Sequence, residues 1–145
     1  MHCLHCGTKN TQVENSRETK KGAAIWRRRK CAKCKKVCST YETIGLDFLV
    51  VEKRSGKRTR YLSHKLFASI YDALSGGKHS DRGDAATLAH AVITAIEHRI
   101  VVAQMESITT TEIIGMVTDE LERVDLGACY RYAAFAPHRG MKFGI

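Results

Sequence analysis

Two Cys-x-x-Cys knuckles, Cys3-Leu4-His5-Cys6 and Cys31-Ala32-Lys33-Cys34, constrain this chain more than any other feature. Two thiolates three residues apart reach one metal from a tight turn. A second such turn, distant in sequence, completes a tetrahedral four-sulfur shell. Zn²⁺ suits that shell because it tolerates soft ligands and imposes no geometry of its own. The spacer from Gly7 to Lys30 is long enough for a small β-ribbon, so the spacing predicts a zinc ribbon holding one Zn²⁺ on Cys3, Cys6, Cys31 and Cys34. Iron in a rubredoxin-like site would use the same ligands. Two disulfides would need an oxidising compartment, and the Met1-His2-Cys3 start lacks the basic and apolar segments of an export signal. Four sulfurs already fill the shell, so His2 and His5 are not expected as ligands. Cys38 and Cys129 are expected to be reduced and partly buried.

A ribbon of about 45 residues cannot bury enough apolar surface to fold alone, so metal binding must supply much of its stability. The full chain of 145 residues leaves room for one modest further domain. Its apolar runs fall well short of the ~20 residues of a membrane span, and no membrane association is expected.

Charge is distributed unevenly. Residues 1–46 hold 11 Lys/Arg against 3 Asp/Glu, residues 47–65 hold 6 against 2, and residues 66–145 hold 7 against 10. A basic metal module followed by a mildly acidic body implies a polyanionic partner at one end. Trp26-Arg27-Arg28-Arg29-Lys30 runs directly into the second knuckle, and Arg17 lies on the spacer. Guanidinium groups bind phosphates bidentately or pair with guanine edges. A metal-fixed ribbon would hold them with little entropy left to lose, so they are expected to bind nucleic acid. Trp26 is expected to cover the ribbon's small core.

The remainder reads as α+β, a β-hairpin packed on about four helices. Asp47 to Lys53 is β-rich, Arg54-Ser55-Gly56-Lys57 reads as a turn, and Lys57 to Tyr61 as the returning strand. Ser63 is a candidate N-cap for a helix with Leu66, Phe67, Ile70, Tyr71 and Leu74 on one face, ended by Gly76-Gly77. A second helix is expected from near Asp84, burying Leu88, Val92, Ile96 and Ile100. A third carries a capping box, Thr109 with Glu112, and would bury Ile113, Ile114, Val117 and Leu121. A short fourth runs from about Asp125 to Phe135, and the tail Pro137–Ile145 is expected to be loosely ordered. Lys53 and Lys65 would flank the start of the first helix, where free N–H groups favour anions such as a nucleoside triphosphate. There is no Walker A pattern, since Asp72 stands where Gly76-Gly77-Lys78 would need an upstream glycine.

The order of parts resembles the NrdR transcriptional repressors of bacterial ribonucleotide reductase genes. The motifs that carry the resemblance are the Cys3/Cys6 knuckle, Asn15-Ser16-Arg17, Ala24-Ile25-Trp26-Arg27-Arg28-Arg29-Lys30-Cys31 and Ser39-Thr40-Tyr41-Glu42. With them go Val51-Glu52-Lys53-Arg54-Ser55-Gly56 and Lys65-Leu66, which resemble an ATP-cone, and Arg131-Tyr132-Ala133. The resemblance implies a zinc-ribbon DNA-binding domain over 1–46, an ATP-cone over 47–136 and a tail over 137–145. It implies a cytoplasmic, nucleoid-associated regulator rather than an enzyme. Such a protein binds double-stranded operator DNA, takes ATP or dATP as effector, and forms homo-oligomers whose size the nucleotide controls. By motif position, Arg17, Arg27, Arg28 and Arg29 resemble DNA contacts, and Val51, Lys53, Arg54 and Lys65 nucleotide contacts. Departures from the family pattern are Asn15 for Asp, Trp26 for Arg, Cys38 for Phe, Ser55 for Asp, Leu62 for Asp and Cys129 for Tyr. The rival readings are a zinc-ribbon RNA-binding protein and a nucleotide-hydrolysing enzyme, the latter disfavoured by the missing Walker lysine and metal–carboxylate pair.

Overall fold

The computed structural model describes residues 1–19, 24–77 and 81–135, and the expected loose tail lies outside these. Internal contacts divide the chain into two units, Met1–Gly45 and Leu46–Ile145.

The first unit is a three-stranded antiparallel sheet in the order β1-β2-β3, with β1 at Thr11–Glu18, β2 at Ala24–Cys31 and β3 at Val37–Thr43. Spacer and arginine run form β1 and β2, and the Ser39–Glu42 segment joins as a third strand. Among the described residues of this unit, the only buried apolar side chains are Cys3 and Cys31. Trp26 is half-buried and belongs to no core, contrary to expectation, because the thiols rather than aromatic rings occupy the interior.

In the second unit, β4 (Val50–Glu52) pairs antiparallel with β5 (Arg58–Arg60) and parallel with β6 (Ser107–Thr109). The first strand is shorter than expected: Asp47 and Phe48 lie in a turn closed by the Leu49 N–H donating to Leu46 O at 3.1 Å. The hairpin turn carries Gly56 at φ +78°. Gly56 N donates to Lys53 O at 2.8 Å, and Lys53 N to Lys57 O at 2.9 Å. The left-handed position explains the glycine.

Four helices complete the unit: α1 (Ser63–Ser75), α2 (Arg82–Val102), α3 (Thr110–Val124) and α4 (Leu126–Phe135). Ser63 is not the cap of α1. Leu62 holds the extended cap position and offers no side-chain acceptor, so α1 starts uncapped. At its other end Gly76 is right-handed. It is small because a Cβ there would meet Arg131 Cδ at 3.2 Å, where Arg131 Nε donates to Ala73 O at 2.7 Å. Asp81 caps α2 through Gly83 N and Asp84 N, three residues before the expected start. The capping box of α3 forms as read, with the Glu112 N–H on Thr109 Oγ1 at 3.1 Å and the Thr109 N–H on Glu112 Oε2 at 2.7 Å. The Thr109 N–H and the Thr109 hydroxyl, each donating to Glu112 Oε2 at 2.7 Å, favour the ionised carboxyl and hold Glu112 below the usual carboxylate range.

The apolar stripes converge on one core. Leu49, Ile70, Leu74, Ile96, Ile100, Ile108, Val117 and Leu121 are its most deeply buried members. Ile113 and Ile114, expected in that core, are only half-buried because they wall a cavity described below, and Leu88 is half-buried at the core's edge. By length and composition α2 could cross a membrane, but Ala85, Ala89, Val92, Ile93, Ile96 and Ile100 use its apolar face in this core.

Candidate metal centre, basic ribbon and cation-lined cavity

The two knuckles are built alike. The Cys3 N–H donates to Thr8 O at 2.8 Å and the Cys31 N–H to Lys36 O at 3.0 Å. The Gly7 N–H returns to Cys3 O at 2.9 Å and the Lys35 N–H to Cys31 O at 3.0 Å. Gly7 (φ +69°) and Lys35 (φ +62°) occupy the same left-handed position. Each turn thus presents two sulfurs inward. The Sγ atoms of Cys3 and Cys34 are 3.6 Å apart, as are those of Cys6 and Cys31, and all four lie within 4.8 Å of one another. A disulfide needs about 2.05 Å. Four sulfurs about 2.3 Å from a central Zn²⁺ stand about 3.8 Å apart, so the cluster has the dimensions of a zinc shell.

Electrostatics points the same way. The Thr8 hydroxyl and N–H hold the Cys6 thiol down at about 6, and the His5 N–H lowers Cys3. At Cys34 the Lys36 N–H opposes a net rise to about 11, driven by burial and the neighbouring sulfurs of Cys3, Cys31 and Cys6. Four thiolates with no cation between them cannot all ionise; a bound dication removes the conflict.

The strand register divides the candidate DNA-binding arginines between the two faces of the sheet. Arg17 pairs with Trp26, and Trp26 with Tyr41; Asn15 pairs with Arg28, and Arg28 with Ser39. Side chains alternate along a strand, so Arg17, Trp26, Arg28, Lys30 and Tyr41 share one face. The Arg17 guanidinium lies 4.5 Å from the Trp26 ring centroid, and Glu14, in the irregularity between Val13 and Asn15, holds Arg28 at 3.6 Å and Lys30 at 3.2 Å. Arg27 and Arg29 are on the other face, tied to Glu42 at 2.9 Å and Thr40 Oγ1 at 3.1 Å. A consecutive run cannot reveal this split; only the strand assignment does.

In the second unit a cavity of about 390 Å³ opens between the hairpin, α1 and α3. Lys53, Arg60 and Lys65 supply its cationic side, while Val51, Leu62, Leu66, Ile113 and Ile114 form an apolar wall. No carboxylate lines it. Of the four candidate nucleotide contacts, Val51, Lys53 and Lys65 come together here, and Arg54, in the turn, does not. Sequence reasoning did not single out Thr59, Thr110 or Tyr132 for this site; Arg60 belongs to the basic constellation of the hairpin segment, Lys53, Arg54, Lys57, Arg58, Arg60 and Lys65, of which only Lys53 and Lys65 were expected to flank the start of the first helix. Beneath them the Tyr61 hydroxyl donates to Glu97 Oε1 at 3.0 Å; burial, then the facing carboxylate, push its ionisation upward, so it remains a donor.

Fold and site together define a zinc-ribbon protein with a second, α+β unit containing a cation-lined cavity. Residues 1–42 match the family model of the NrdR-like transcriptional repressor N-terminal domain. Along 135 residues the chain is 36% identical to the transcriptional repressor NrdR of Bordetella pertussis, covering 92% of this chain and 81% of that one. The NrdR proteins of Leptothrix cholodnii and Burkholderia vietnamiensis are 35% and 34% identical over 92% of this chain, covering 88% and 81% of their own lengths. The chain belongs to the NrdR family of transcriptional repressors.

Proposed function

We propose that this repressor is a cytoplasmic, nucleoid-associated nucleotide sensor: its zinc ribbon binds operator DNA upstream of ribonucleotide reductase genes, and ATP or dATP in the second unit sets its oligomeric state. The observation that carries the sensor reading is the cavity. Three cations without a carboxylate suit a polyphosphate, and the adjoining apolar wall suits a base, the mixed lining expected of a small-molecule site. Lys53 and Lys65 are the phosphate contacts and Val51 packs on the base, while Arg54 reaches the ligand only if the turn closes. Cys3, Cys6, Cys31 and Cys34 hold one Zn²⁺, which here only fixes the fold. Arg17 and Arg28 on one face, with Arg27 and Arg29 on the other, suit a sheet entering the major groove edge-on, where both faces meet phosphate walls. Exposed Val124, Leu126, Tyr130 and Phe135, at the end of α3 and along α4, support self-association.

The cavity and the ribbon belong to different units, so nucleotide can act on DNA binding only by shifting an arrangement or assembly equilibrium for which it has differential affinity. The test is sizing by light scattering with ATP, with dATP and without nucleotide, beside operator binding on the same samples. Different oligomer distributions, of which only some bind operator tightly, are expected. Lys53→Ala and Lys65→Ala should each weaken nucleotide binding by about 1.5–3 kcal/mol with zinc content unchanged. Size and operator affinity indifferent to nucleotide would remove the sensor role.

A further inference from the structure

We propose that the Arg17–Trp26–Tyr41 face of the ribbon is a stacking platform that binds single-stranded nucleic acid through its unpaired bases. The register sets Arg17, Trp26 and Tyr41 in one row across all three strands. Trp26 covers no core, since among the described residues of this unit the buried apolar side chains are the two cysteines. Instead its ring carries the Arg17 guanidinium at 4.5 Å, and the Tyr41 ring beside it is 66% exposed. The row therefore offers two planar groups, a guanidinium backed by an indole and a phenol, on an open sheet face. Unpaired bases stack on planes of both kinds.

The cations needed to steer a phosphate backbone are on the same face. Arg28 lies one row away and Lys30 one row further, both held in place by Glu14. Their ion pairs are exposed and weak, so phosphate can compete for both cations. A duplex could use them equally well, but it hides the π-faces of its bases and gives the aromatic row nothing to stack on. The row therefore selects the single strand. The opposite face has Arg27 and Arg29 bonded to Glu42 and Thr40 and presents no such row. Arg17 is common to this platform and to the operator-binding reading, whereas Tyr41 belongs to the platform alone, so Tyr41→Ala separates the two.

Trp26 is the sole tryptophan of the chain, so its emission reports this row alone. The zinc-loaded full chain is titrated with oligothymidylate of about 12 residues, with oligouridylate of the same length, and with a dT·dA duplex. Saturable quenching by a single strand and none by the duplex is expected. Tyr41→Ala and Arg17→Ala should each weaken single-strand affinity about tenfold, read by anisotropy of a labelled strand, with zinc content unchanged. Tyr41→Phe should restore it. Absence of quenching, equal quenching by duplex and single strand, or affinity untouched by both alanine variants would overturn the platform. Operator binding measured on the same samples separates its fate from that of the repressor reading.

Discussion

The ribbon and the second unit solve the same problem with opposite means. Among the described residues, the buried apolar side chains of Met1–Gly45 are two cysteines, whereas in the second unit eighteen buried residues form one core. The ribbon places arginines on both faces of its sheet and still closes around its cysteines. A metal-centred interior asks little of the surface, so the strands are free to carry charge. The helical unit has no such freedom: each helix must give a stripe to the core, and what the stripes leave open is the cavity walled by Ile113 and Ile114.

The contrast breaks most sharply on metal removal. Chelation, or Cys31→Ser, should unfold the ribbon, because metal binding of the order of 10–16 kcal/mol is its folding energy. The second unit should keep its structure. Amide spectra of both units together with zinc analysis check this, and joint collapse would show the two to be one cooperative fold. The converse variant is Ile96→Ala, at a fully buried position. It should cost about 2–5 kcal/mol in denaturant unfolding of the second unit and release no zinc.

Smaller effects sharpen the picture. Thr109→Ala removes the cap of α3 and should cost about 1 kcal/mol. The partner carboxyl of Glu112 is depressed when folded, so its contribution is complete above the ordinary carboxylate range and fades as pH falls through the lowered value. Glu112→Gln should therefore flatten the acid limb of the second unit's unfolding curve without altering the ribbon's. Lys35→Gly, relieving a left-handed lysine in the second knuckle, should stabilise the zinc-bound ribbon by up to about 1 kcal/mol, seen as slower zinc transfer to a chelator.

What was legible in the chain was local chemistry. The Cys-x-x-Cys spacing marked the metal shell, because a knuckle is a short turn whose ligands lie three residues apart. Thr109 with Glu112 marked the start of α3, Gly56 the hairpin turn, and the 3.6-residue stripes the helices, each within one or two turns of chain. Tertiary structure decided the rest, because it depends on partners distant in sequence. The strand register, with its irregularity beside Glu14, sent neighbouring arginines to opposite faces and left Trp26 outside any core. The Ser63 hydroxyl does not cap α1; the extended residue before the helix is Leu62, which has no side-chain acceptor. The parallel pairing of β4 with β6 links residues more than fifty positions apart, and a three-residue strand has too short a pattern to announce it. The same long-range assembly brought Arg60, Thr110 and Tyr132 beside Lys53 and Lys65, a meeting of side chains that no local period encodes.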